Sequence, residues 1–247
     1  MRLVRTTIGG TWAIAWREFV ALFRVPVGWL VLALYAGLWG GMFVQFVLVP
    51  GAPATMRPLF ATAAWLMLPI APAISMRLFS DELRTGSYEL LATSPATDLS
   101  LALGKFIGAG LFLLALLGST LPLVAVLLAL SDPMPDAGPL LAGYLSVTLL
   151  GLLFLSVGLL ASTLTASQTL SFLGAMLALF VWLLATTAGR TRAPESIGDA
   201  LATLAITDRL EGFAKGVIDT GDVAFFVVLT GWFVLAASMC LGVRRWL

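Results

Sequence analysis

The chain has 247 residues, of which 60% are hydrophobic and only 11% charged, and its mean hydropathy is +1.02. An ordinary soluble domain is about half apolar and about one quarter charged, so there are too few polar side chains here to cover a soluble surface. Fourteen basic and thirteen acidic residues give a net charge of +1, which leaves no basic footprint for nucleic acid. With no histidine and a single cysteine, Cys240, the usual acid–base, metal and disulfide chemistries lack their side chains, and no metal site is expected. The composition is that of an integral membrane protein.

In chain order, the first candidate element is 11–25, TWAIAWREFVALFRV. Trp12, Trp16, Phe19 and Phe23 recur at i, i+4, i+7 and i+11, which is one face of a helix, with Arg17, Glu18 and Arg24 beside it. Such a helix suits the membrane interface, its aromatic rings among lipid headgroups, either as a plain anchor or as an elbow that also meets a cytoplasmic partner. Pro26 ends it. The apolar stretch after Arg5 is broken by Arg17 and Glu18, so no cleavable signal peptide is expected and the first span serves as an uncleaved anchor.

Charge-free runs then cover 25–56, 58–76, 106–131, 137–189 and 223–243. About 20 apolar residues cross a hydrocarbon core about 30 Å thick. The run 137–189 would form a rod of about 80 Å, so it must fold back, and STLTASQTLS (162–171) is the natural break. The reading is an all-α polytopic protein with six spans, near 27–48, 58–76, 106–130, 140–162, 168–189 and 223–243. A five-span alternative turns on Pro69 and Pro72 within the second. No Asp, Glu, Lys or Arg falls inside these spans, which argues against ion-coupled transport and intramembrane catalysis. Gly37-x-x-x-Gly41 and Gly104-x-x-x-Gly108 permit close helix approach, within the monomer or at a dimer interface.

The 77–105 loop is the most informative. Its charges are Arg77, Asp81, Glu82, Arg84, Glu89, Asp98 and Lys105; Gly86 and Ser94-Pro95 mark boundaries, SYELLATS reads as a short amphipathic piece, and Asp98 suits an N-cap. A helix–helix connection usually takes 2–8 residues, so a loop of this length suits a surface for another protein better than a solvated loop with an ordinary helical hairpin. The 190–222 segment reads as one or two short amphipathic helices, with Ile197, Leu201, Leu204, Leu210, Phe213 and Val217 near helical spacing and Glu211–Lys215 as an i, i+4 pair. Its acidic residues suit a solvated rim better than a substrate or metal site.

Nine basic residues (Arg2, Arg5, Arg17, Arg24, Arg77, Arg84, Lys105, Arg244, Arg245) fall on one side of this topology and five (Arg57, Arg190, Arg192, Arg209, Lys215) on the other. The bias places both termini in the cytoplasm. No phosphate-binding loop occurs, since the one Gly-Lys, Gly104-Lys105, is followed by Phe106. Any nucleotide chemistry therefore belongs to another subunit.

The run RLFSDELRTGSYELLATSP (77–95), followed by DLSLALGKFIGA, resembles the cytoplasmic loop of ABC-2-type transporter permeases, closest to the branch of gliding-motility and nitrous-oxide-reductase-maturation permeases. REFVALFRVPVGWLVLALY, GVIDTGDV (216–223) and the closing RRW (244–246) resemble the same branch. The resemblance implies a single permease domain over 1–247 with the type V exporter-like ABC-2 fold in a bacterial inner membrane. It implies a homo- or heterodimer on a cytoplasmic ABC ATPase, which holds ATP and Mg; no cofactor is expected in this chain. The coupling element would carry Asp81, Glu82, Arg84, Thr85, Gly86, Ser87 and Glu89. The connecting helix would carry Trp12, Trp16, Arg17, Glu18, Phe19 and Phe23. The 190–222 segment would cap the outer side, and Gly221 departs from the pattern, which leads one to expect a basic residue before Asp222. A rival reading from the same residues is a mechanical or regulatory complex that moves no solute.

Overall fold

The computed structural model describes residues 2–49, 51, 53–87, 97–132, 135–189 and 195–244. Among the described residues the only regular secondary structure is helical. α1 (Arg2–Arg24) is followed without a loop by α2 (Pro26–Phe46). α3 (Arg57–Ser75) leads to a short α4 (Ser80–Thr85), and α5 (Asp98–Gly118) and α6 (Leu121–Leu130) continue one another across Ser119-Thr120. α7 (Ala137–Leu164) and α8 (Gln168–Leu184) form a hairpin; α8 ends in a π-helical turn at 185–189. α9 (Glu195–Thr203) and α10 (Ile206–Ala214) precede α11 (Thr220–Arg244).

Six segments are long and apolar enough to cross a membrane: 26–46, 57–85, 98–130, 137–164, 168–188 and 220–244. They match the six expected spans, and the long charge-free run folds back where expected, at 165–167. Pro69 and Pro72 lie inside α3 without ending it, so the five-span alternative fails. Each proline lacks one backbone donor, a loss that packing on both sides of α3 tolerates.

α3 and α7 form the centre; each is two-thirds buried, whereas α2, α8 and α11 turn most of their surface outward. The two central helices approach closely because α7 offers glycine where α3 offers bulk. A Cβ on Gly143 would lie 2.1 Å from the Phe60 ring, and one on Gly158 would lie 1.8 Å from Ser75 Oγ. α5 and α11 pack on the other side of α7. The outward apolar faces of α2, α8 and α11 carry residues such as Leu34, Leu177 and Trp232, as a helix in lipid requires.

Two expectations are corrected. The N-cap of α5 is Thr97, whose hydroxyl accepts from the Ser100 amide at 3.2 Å; Asp98 is the first helical residue. The third spanning helix also begins well before its charge-free run, because an aliphatic face on 101–105 is already buried. Lys105 therefore lies within an unbroken helix rather than in a loop.

For reference, the basal end is the one bearing α4, the 165–167 turn and Arg244. The apical end bears α9 and α10.

Candidate functional site: a charged joint at the basal end

α4 is one and a half turns long and follows α3 through the turn 76–79. Asp81 and Glu82 occupy its first turn and Arg84 its last, each favourable with the helix dipole. Gly86 ends it with φ +72°, a left-handed conformation that glycine adopts without a steric penalty. Thr85 donates to the Asp81 carbonyl at 2.9 Å, and its hydroxyl lies 2.8 Å from that of Ser87.

The two carboxylates of α4 point to different partners. Asp81 takes ion pairs from Arg77 at 3.3 Å and Arg84 at 3.4 Å, and Gln168 Nε2 donates to its Oδ1. It thereby ties α4 to the start of α8. Glu82 turns toward Lys105, whose Nζ lies 2.7 Å from Glu82 Oε1 and 3.1 Å from Glu18 Oε1. The same ammonium donates to the Leu78 carbonyl at 2.5 Å and sits 4.9 Å from the centre of the Phe79 ring. Arg17 closes the cluster, 3.1 Å from Glu18 and 3.7 Å from Glu82.

Lys105 is 2% exposed, while Glu18 and Glu82 are each 16% exposed. A lone buried ammonium would be costly; two carboxylates, a carbonyl and a ring face leave this one fully partnered. Beside it a cavity of about 130 Å³ is lined by Glu18, Leu22, Arg77, Asp81, Glu82 and Lys105, among others. The arrangement is a joint: α1, α4 and α5 meet on one ammonium.

What brings α1 within reach is the Gly104-x-x-x-Gly108 pair. A Cβ on Gly104 would lie 2.8 Å from Ile14 Cγ2, and one on Gly108 would lie 2.6 Å from the Ala15 carbonyl and 2.8 Å from Glu18 Cβ. These glycines serve packing within the monomer. Gly37 and Gly41 have open space where a Cβ would be. The elbow into α2 is equally tight: a Cβ on Gly28 would lie 1.9 Å from the Leu22 carbonyl, and Trp29 Nε1 donates to the Phe23 carbonyl at 2.8 Å.

The expected residues of the connecting helix divide. Trp12 and Trp16 are exposed, whereas Phe19 and Phe23 are half-buried and stack toward Phe112, 5.0 Å from Phe23. The face buried most deeply carries Ala15, Glu18 and Leu22, next to the aromatic stripe rather than on it. Of the expected coupling residues, Asp81 and Glu82 enter the two networks. Arg84, Thr85 and Gly86 are exposed and Ser87 is half-buried; Glu89 and the SYELLATS piece beyond Ser87 lie outside the described residues. Lys105, the centre of the joint, looks from the sequence like one more loop charge; only the glycines at 104 and 108 mark its helix as a close-packed one.

At the apical end the 190–222 segment does form two short helices, with Leu210 and Phe213 buried. Leu204 and Val217 are exposed, and the side chain of Ile197 lies outside the described residues. Glu211 and Lys215 are exposed, and no ion pair joins them. Among the described residues no group of acidic or cysteine side chains could hold a metal ion.

Six apolar crossings, two central helices and a basal charged joint define a polytopic helical membrane protein with a built contact between its spans and its basal surface. The chain matches the family described as ABC-2 family transporter protein over residues 50–239, more than three quarters of its length, and it belongs to that family. The matched range begins after α2, so α1 and Glu18 lie outside it. No curated protein matches the chain.

Proposed function

We propose that this chain is the permease subunit of an ATP-driven exporter of the gliding-motility and nitrous-oxide-reductase-maturation branch. It resides in a bacterial inner membrane with both termini, and hence the basal end, in the cytoplasm; the bias of nine basic residues against five supports that orientation. It pairs with a second permease subunit and works by alternating access at their interface. ATP and Mg bind in a separate cytoplasmic ATPase, which docks on α4 and the residues after it, around Asp81, Glu82, Arg84, Thr85, Gly86, Ser87 and Glu89.

The observation that carries this reading is the position of Lys105. A push on α4 reaches α5 through the Glu82 pair at 2.7 Å and α1 through the Glu18 pair at 3.1 Å. It reaches α8 through Asp81 and Gln168. A short surface helix fixed to three other elements can transmit displacement, where a solvated loop would absorb it.

Affinity purification from the native membrane in mild detergent, with mass spectrometry of the eluate, tests the reading. A stoichiometric soluble chain bearing a phosphate-binding loop is expected. Its absence across several detergents would remove the ATPase-driven mechanism.

A further inference from the structure

A second interlock lies at the apical end. α10 covers the ends of α3 and α7, burying Ile206, Leu210, Phe213 and Ala214. Gly216, with φ +87°, then turns the chain so closely against α7 that a Cβ there would lie 3.1 Å from Pro139 Cγ. Trp182 of α8 donates to the Leu204 carbonyl at 3.1 Å. The cap made by α9 and α10 thus rests on α3, α7 and α8.

Its fastening to α11 is Arg209. The guanidinium donates through Nη1 to Asp222 in the first turn of α11 and through Nη2 to the Thr203 carbonyl at 2.9 Å. Its plane lies over the Phe225 ring, 4.1 Å from the centre. Both charged side chains are largely buried, 22% and 20% exposed. Asp222 stands at a helix N-terminus, where negative charge is favoured, and Asp219 holds the adjacent Gly221 amide at 2.8 Å. The planar fork serves two acceptors and one ring at once, which a lysine ammonium cannot reproduce.

We propose that Arg209 latches the apical cap to the last span, so that α10 lifts from α3 and α7 when its contact with Asp222 is broken.

The test uses the full chain in lipid nanodiscs, with Cys240→Ser and a reporter, Ala214→Cys, on the buried underside of the cap. Labelling by a charged maleimide then reports lifting of α10. Arg209→Ala and Asp222→Ala should each speed labelling by about tenfold or more, the worth of one charge-assisted contact. Arg209→Lys should fall between, and Arg209→Asp with Asp222→Arg should recover part of the protection. Parent-like labelling in both alanine variants, or a swap no better than either single change, would overturn the latch. A parallel rise at Ala109→Cys, buried on α5, would show general loosening and overturn it equally. Labelling needs no ATPase, so a failed partner search leaves this result standing, and a failed latch leaves partner assembly untouched.

Discussion

Lys105 Nζ lies 2.7 Å from Glu82 Oε1, joining the third spanning helix to the short helix that follows the second. Glu18 shares the same ammonium from the first helix at 3.1 Å. One cation thus holds two carboxylates that would otherwise repel each other in a largely buried place. Removing the cation should therefore cost more than removing either anion. Lys105→Met should destabilise the protein by about 3 kcal/mol or more, the range for stranding buried charge. Adding Glu18→Gln and Glu82→Gln should return much of that loss. Thermal unfolding in detergent, followed as a double- and triple-mutant series, measures both.

The glycine contacts predict an opposite pair of outcomes for similar substitutions. Gly108→Val should detach α1 from α5, since even a Cβ would lie 2.6 Å from the Ala15 carbonyl. Gly28→Ala should open the elbow, its Cβ overlapping the Leu22 carbonyl at 1.9 Å. Gly37→Ala and Gly41→Ala meet open space and should be neutral or stabilising by up to about 1 kcal/mol through helix propensity. Limited proteolysis of α1, read beside the melting temperature, separates the two groups.

Between the central helices, Gly143 sits against the Phe60 ring with no room for a methyl group. Gly143→Ala should lower stability by about 1–3 kcal/mol, the usual cost of overpacking. Phe60→Leu should cost stability alone yet relieve the Gly143→Ala variant, giving a favourable coupling energy in the double-mutant cycle.

The number of spans and the fold-back at 165–167 were legible because charge is excluded from lipid and length is fixed by bilayer thickness. Gly86 was legible as a turn because the left-handed conformation selects its residue type. Lys105 was not, because its partners Glu18 and Glu82 are distant in sequence and each reads locally as a solvated charge. The buried face of α1 is not legible for a related reason: the aromatic rings make the stronger periodic signal, whereas small and charged residues, Ala15 and Glu18, make the close contact. The latch from Arg209 to Asp222 was hidden in the same way, since it depends on how α10 folds back over α7.

Gly86 supplies a narrower prediction at the end of α4. Gly86→Ala should cost about 1 kcal/mol for a side chain at φ +72°, and Gly86→Asn less, because asparagine tolerates that region. Both variants should fold and differ chiefly in partner affinity, read by co-purification at graded salt.

The role of the basal joint is measured in the reconstituted complex of this chain with an ABC ATPase, through Glu82. Glu82→Gln keeps the shape of the side chain and removes the charge that faces Lys105. The expected result is an assembled complex in which basal ATP hydrolysis persists while its response to the permease and to transport is lost. A Glu82→Gln complex with fully coupled hydrolysis and transport would contradict it.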